Sequence, residues 1–414
     1  MSAGRYDAPP RASREVELLL CCARTEIDPY AVSRIVALLR ESIDWEFLRL
    51  MALAQGVGPL LYSGLRRTCP DGVPDGVLDE LRGFVRANAR RNLLLTGRLL
   101  RLLAAFRNRG IRAIPFKGPV LAVQVYRDLA LRPFVDIDVL VHERDAAGAK
   151  ALLTAHGYRQ VMSHPWEAPF EDESGVSVDL HWGIAPSYDP APRTFEQLWT
   201  RLVPVSLSGT EVGTFSPEDL LLILSIQLAK DCRESRQRLL QICDTAELIR
   251  SHPGLDWKHA LSLARAAGGE RILQLDLLLA HDLLDASLPE VVLRSAQGSH
   301  AVRALAREVE ARMFQAAGAP ELLPRGAGRP SDDFDDFYVR TRERLSDKLR
   351  YFALRARDRI RLVVRPSGRD REFLPLPAWL GFLYYLVRPV RVLSSWIRTG
   401  KVTSKARRGR AATP

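Results

Sequence analysis

Between residues 14 and 108 apolar positions recur at helical spacing in REVELLLCCAR, SRIVALLRES, DWEFLRLMALAQ and NLLLTGRLLRLLAAFRNRG, which predicts an all-helical opening. Asp44 is placed to cap the helix starting at Trp45, and Gly110 to stop the one ending at Arg109. At Gly110 the period changes. IRAIPF reads as a short strand that turns at Lys117-Gly118-Pro119 into a helix running through Tyr126, with proline in its first turn. After the loop DLALRPF, the run VDIDVLV alternates, with Val135, Ile137, Val139 and Val141 on one face and Asp136 and Asp138 on the other. The first face is assigned to core and the second to chemistry.

A helix is expected from Asp145 to His156, followed by strands over Tyr158–Ser163 and Trp166–Glu171, a turn at Asp172–Gly175, and the alternating run VSVDLHW. There Val176, Val178 and Leu180 point one way, and Ser177, Asp179 and His181 the other. Strand, helix, strand, helix and hairpin make a small α/β unit with a mixed sheet. From Ser216 the pattern is helical again, through Cys232, from Glu234 to Arg250, from Trp257 to Ala267 and from Glu270 to Leu284. The Gly- and Pro-rich run from Gly318 to Ser331 marks a linker. The division that follows is a helical segment over 1–109, an α/β core over 110–215, a helical domain over 216–317, a linker over 318–339 and a tail over 340–414.

Composition excludes disorder throughout: the 414 residues are 47% hydrophobic and 26% charged, enough for substantial cores. The formal charge of +11 is unevenly placed. Residues 340–414 carry 20 Lys and Arg against 5 Asp and Glu, a net +15, which leaves about −4 for residues 1–339. A body of that sign argues against nucleic acid as partner, while the tail suits something anionic. RTRERLSDKLRYFALRARDRIRLVVR, from Arg340 to Arg365, is a basic amphipathic helix. Phe373–Trp396 adds aromatics among arginines, as for an anionic membrane surface or for docking on the body with a solvated basic face. The five cysteines show no metal-ligand or disulfide spacing, and the start shows no export signal, so a cytoplasmic protein, peripheral to the membrane at most, is expected.

The chemistry concentrates in Lys117-Gly118, Asp136-x-Asp138 and Asp179. Residues two apart on a strand share a face, so the Asp136 and Asp138 carboxylates can converge; Asp179 joins them if its strand is a neighbour with the same facing. Like charges about 4 Å apart repel by roughly 4 kcal/mol per pair at an effective dielectric of 20, which a divalent cation removes. Hard oxygen ligands with few imidazoles favour Mg²⁺ and a phosphate-bearing substrate. Gly118 lets backbone N–H groups approach a triphosphate at a helix N-terminus, and Lys117 and Arg132 are cations near enough in sequence to offset its charge. His181 shares the face of Asp179 and either packs and hydrogen-bonds there or orients an acceptor. Lys230 and Asp244 on the later helices are expected to be solvated, and Trp182, Trp199 and Trp257 to be core aromatics.

The order PFKGPVLAxxxY, LRPFVDIDVLV, GY and VDLHW resembles the uncharacterised nucleotidyltransferase family of the DNA polymerase β-type superfamily, most specifically between Phe116 and Trp182. The resemblance covers roughly residues 14–290. It implies an α+β protein, with a small mixed β-sheet of nucleotidyltransferase type flanked by N-terminal and C-terminal helical segments. It also implies transfer of a nucleoside monophosphate from an NTP to an acceptor hydroxyl, pyrophosphate leaving and two Mg²⁺ ions assisting. By position, Gly118 matches the turn glycine, Asp136 and Asp138 the paired metal ligands and Asp179 the third carboxylate. Lys117-Gly118-Pro119 stands where Gly-Ser is common in the wider superfamily. A non-catalytic nucleotide-binding or membrane-surface adaptor with the same fold is the alternative the pattern allows.

Overall fold

The computed structural model describes residues 13–186, 189–190, 194–315, 336–337, 339–364, 380 and 383–384. Residues through Arg344 form one compact unit, and a second begins at Leu345. The first opens with helices α1 (Arg14–Cys22), α2 (Pro29–Leu38), α3 (Trp45–Ala54), α4 (Gly58–Thr68) and α5 (Asp75–Asn108). Asp44 caps α3 as expected, its carboxylate accepting from the Phe47 N–H at 2.9 Å.

The α/β part runs β1 (Ala113–Phe116), α6 (Gly118–Tyr126), β2 (Asp136–Val141), α7 (Ala146–Ala155), β3 (Arg159–Gln160), β4 (Glu167–Glu171) and β5 (Ser177–His181). These strands form one mixed sheet in the order β1-β2-β5-β4-β3, in which only β2 and β5 pair in parallel. A short α8 (Phe195–Trp199) leads to a separate hairpin of β6 (Val203–Leu207) and β7 (Thr210–Thr214). The sequence pattern does not announce that hairpin, although Ser208-Gly209, both at positive φ, supplies its turn. Helices α9 (Pro217–Arg233), α10 (Leu239–Ser251), α11 (Trp257–Ala267), α12 (Glu270–Leu284), α13 (Glu290–Gly298) and α14 (His300–Gln315) follow.

Two cores hold the unit. The first joins α1–α4 to the α9–α14 helices and takes in Phe116 and Leu140 from the sheet; the second packs Ile137, Val139, Val141, Val178 and Leu180 against α5 and α7. Helix α5 serves both, Leu81 entering the first and Leu95, Leu99, Leu102 and Phe106 the second. Helices before and after the sheet therefore share one interior.

Strand β2 is consequently buried on both sides. Its DxD face is chemical only at one end, because Leu140 on the same face is core. Val135, expected with the core face, is 54% exposed and precedes the strand, since pairing begins at Asp136 opposite Ser177. The strand expected over Tyr158–Ser163 shrinks to two residues at the sheet edge. Most of the 318–339 linker, and most of the tail beyond residue 364, lie outside the described residues. Among those described, no helix is long and apolar enough to cross a membrane.

Buried Asp276 on α12 ties α9 to α10, accepting at 2.8 Å from both Ser225 and Thr245. Burial, against the opposing effect of those two hydroxyls, pushes its carboxyl up to about 7. The folded chain thus holds this proton more tightly than the unfolded one. The contribution to stability is complete below about pH 4 and declines through about pH 7, by about 1.4 kcal/mol per unit. Asp276→Asn should flatten that decline and stabilise the fold at pH 8, read from urea unfolding across the pH range.

Candidate active site

The parallel pairing of β2 with β5 sets Asp138 directly beside Asp179 in register, and β1 sets Phe116 beside Asp138 on the other side. Because β2 and β5 run the same way, Asp136, Asp138 and Asp179 project from one face at one end of the sheet. Ligand atoms of Asp138, Asp179 and His181 lie within 4.8 Å of one another, a donor set that could hold a metal ion. Two carboxylates and an imbalance of negative charge fit a hard divalent cation. Asp136, at the strand's start, is less buried.

Charge is divided among these carboxylates by their surroundings. Burial raises the Asp136 carboxyl above the usual range, and the negative charges of Asp138 and Asp179 add to it. Burial would do the same to Asp138, but the Lys117 ammonium and the His181 imidazole outweigh it and hold Asp138 low. Asp179 is raised, first by burial and then by Asp138. Lys117 Nζ lies 3.4 Å from Asp138 Oδ1 and 3.3 Å from Gln227 Oε1 on α9. Its proton is held more tightly than usual, since Asp138, Asp136, Asp231 and Asp179 together overcome the cost of burial.

The turn that delivers Lys117 is strained. Lys117 has φ 55° and ψ −150°, a region that side chains rarely occupy. Gly118 follows at φ +40°, and a Cβ there would meet the Asp136 carbonyl oxygen at 3.3 Å. Glycine at this positive φ lets the N-terminus of α6 approach β2 without that crowding. Pro119 occupies the first turn, where a missing N–H costs no helical hydrogen bond.

His181 is buried, with Nε2 3.1 Å from Asp138 Oδ1 and Nδ1 3.2 Å from Glu167 Oε2, the latter poorly aligned for a hydrogen bond. Its ring meets Phe116 edge-on at 5.1 Å. It therefore braces the Asp138 carboxylate rather than facing an open acceptor position.

Arg132 departs from expectation. Expected as a cation for the phosphates, it is 8% exposed and makes a bidentate pair with Asp244 on α10, Nε–Oδ1 2.7 Å and Nη2–Oδ2 2.8 Å. Tyr126 donates its hydroxyl to the same carboxylate at 2.7 Å. Asp244, expected to be solvated, is buried because a guanidinium removed from water requires a forked carboxylate partner. The loop before β2 is clamped from its other side by α5: Asn88 donates to the Ala130 carbonyl at 3.0 Å, and Asn92 to the carbonyls of Leu129 at 2.5 Å and Arg132 at 2.9 Å. Asn88, Asn92 and Thr96, each a helical turn apart and buried, are the signal in the sequence that could have revealed this clamp. Glu167, Gln227 and Asp231 had no such signal; Asp231 enters through Gln227, which donates to it at 3.0 Å.

The sequence matches, over residues 41–285 and thus over more than half of the chain, the family described as uncharacterised nucleotidyltransferase. No curated protein matches it in sequence. Among solved structures it is similar to the antibiotic-resistance factor ANT(2'')-Ia, at 14% identity over 42% of this chain and 91% of that one, with a TM-score of 0.33. The lincomycin-bound lincosamide antibiotic adenylyltransferase LnuA is similar at 18% identity over 30% of this chain and 82% of that one, TM-score 0.25. An antigenic nucleotidyltransferase-like protein from Paracoccidioides brasiliensis is similar at 17% identity over 48% and 96%, TM-score 0.32.

The Arg132–Asp244 pair sets up a stability test. Asp244→Asn or Arg132→Met should each cost roughly 3–5 kcal/mol by stranding a buried charge or its partner, whereas Arg132→Met with Asp244→Leu should recover much of the loss, measured by chemical denaturation. Equal, additive losses would mean that the pair does not act as one.

Proposed function

The chain belongs to the uncharacterised nucleotidyltransferase family, and on that footing we propose that it transfers a nucleoside monophosphate from an NTP to an acceptor hydroxyl, a reaction of the EC 2.7.7 class. The observation that carries this reading is the register that pairs Asp138 with Asp179 beside the strained Lys117-Gly118 turn. Asp136, Asp138 and Asp179 are the ligands proposed for two Mg²⁺ ions. Bound there, Mg²⁺ would neutralise charge on the triphosphate and acidify the acceptor hydroxyl.

This chain's own residues divide the remaining work. His181 fixes the Asp138 carboxylate in orientation through Nε2. Lys117 donates to the triphosphate once its ammonium leaves Asp138, and the first N–H groups of α6 face the same charge. Asp179, whose carboxyl is raised by burial and by Asp138, accepts the proton of the acceptor hydroxyl. The acceptor oxygen forms its bond to the α-phosphorus as the bond from that phosphorus to the bridging oxygen breaks, and pyrophosphate leaves with the electron pair.

Incubating the protein with Mg²⁺, cell extract and NTPs labelled at either the α- or the γ-phosphate tests this. Label from the α-position should enter a product while γ-label leaves as pyrophosphate. Asp136→Asn, Asp138→Asn and Asp179→Asn should each slow incorporation about a thousandfold. Transfer of γ-label would make the protein a kinase, and NTP binding without pyrophosphate release would favour the adaptor.

A second expectation concerns Lys117. An ammonium and a divalent ion about 4 Å apart repel by roughly 8 kcal/mol at an effective dielectric of 20, so they do not share Asp138. Lys117→Met should therefore tighten Mg²⁺ or Mn²⁺ binding to the nucleotide-free protein by about tenfold or more while weakening NTP binding, both read by titration calorimetry. Weaker metal binding in that variant would contradict the arrangement.

A further inference from the structure

The second unit opens with helix α15 (Leu345–Val364), whose sequence LSDKLRYFALRARDRIRLVV carries six Lys and Arg against two Asp. Leu345, Leu349 and Phe352 are 72%, 61% and 54% exposed, and their spacing of four and three residues places them on one stripe. The same spacing continues in the sequence at Ala356, Ile360 and Val363. At 100° per residue, Lys348 lies beside the stripe, and Arg350 and Arg357 lie more than 100° from its centre, on the polar half of the helix. Asp347 falls on the far side of the helix from the stripe.

We propose that α15 is an in-plane anchor that lays the Leu345–Leu349–Phe352 stripe into the surface of an anionic bilayer. The choice of occupant rests on the pairing of apolar and charged positions. Exposed leucine and phenylalanine need a hydrocarbon phase, and a helix whose remaining surface is rich in Lys and Arg matches anionic lipid headgroups, toward which long basic side chains can reach. A second copy of the chain would bring six basic positions against six. A nucleic acid would satisfy the charge and leave the stripe in water. The helix is too charged to span a bilayer, in line with the lack of a membrane-crossing helix among the described residues. Because the stripe lies outside residues 41–285, the proposal stands or falls apart from the reading of the active site.

Flotation of the full chain with vesicles of phosphatidylcholine alone, or of phosphatidylcholine with phosphatidylserine, decides it. The wild-type protein should float with the anionic vesicles and not with the neutral ones, and lose binding as salt rises. Leu349→Glu with Phe352→Glu should bind the anionic vesicles at least about tenfold more weakly. Both positions are exposed, so circular dichroism and the unfolding midpoint of that variant should match wild type, which separates lost docking from lost folding. Equal flotation of variant and wild type overturns the proposal, as does equal binding to neutral vesicles. A concentration-dependent dimer abolished by the variant, or RNA binding in place of vesicle binding, would assign the stripe or the charge to another partner and overturn it as well.

Discussion

The structure turns on the cost of gathering carboxylates where water is scarce. Asp136, Asp138 and Asp179 emerge from one end of the paired strands β2 and β5, of which β2 is otherwise packed on both faces, and Asp138 is almost fully buried. Left alone, such a group would protonate or push the strands apart. It is held from two directions, by the Lys117 ammonium from the turn before α6 and by the His181 imidazole from β5. The carboxylate between these two stays ionised, while its neighbours are raised by burial and by one another. An environment that keeps one acid charged and loads the next with a raised proton affinity suits ligand and base roles in a single site.

Holding that arrangement takes more of the chain than the sheet. The loop before β2 has no regular structure, yet its carbonyls are gripped by two asparagines of α5 and its arginine is forked onto α10. Asp136 is the first residue after this loop, so the clamp sets where the strand begins. The first core joins α1–α4 to α9–α14 and thereby fixes α9 and α10 against the sheet face that carries the chemistry. Backbone strain at Lys117 is the local counterpart, a conformation tolerated because it aims the ammonium at Asp138.

Much of this was legible in the sequence. Period two in VDIDVLV and VSVDLHW identified the strands and the faces of their aspartates, and the boundaries of α11 and α12 fall where their spacing put them. What escaped reading was long-range. Nothing in LRPF says that Arg132 meets a carboxylate 112 residues later, and a helical Asp such as Asp244 looks solvated until its partner is known. Val135 lies exposed outside the strand because alternation continues through the sequence past the point where pairing stops. Leu140 shares the face of the aspartates yet is buried, because a strand covered on both sides keeps polar residues only where the covering helices leave a gap.

The most direct test of the central claim is where a divalent ion sits. Crystals of the protein grown with Mn²⁺ should show an anomalous peak among the carboxylates of Asp138, Asp179 and Asp136, with the Lys117 ammonium displaced from Asp138. A protein that binds Mn²⁺ only elsewhere, with Lys117 still paired to Asp138, would contradict the account.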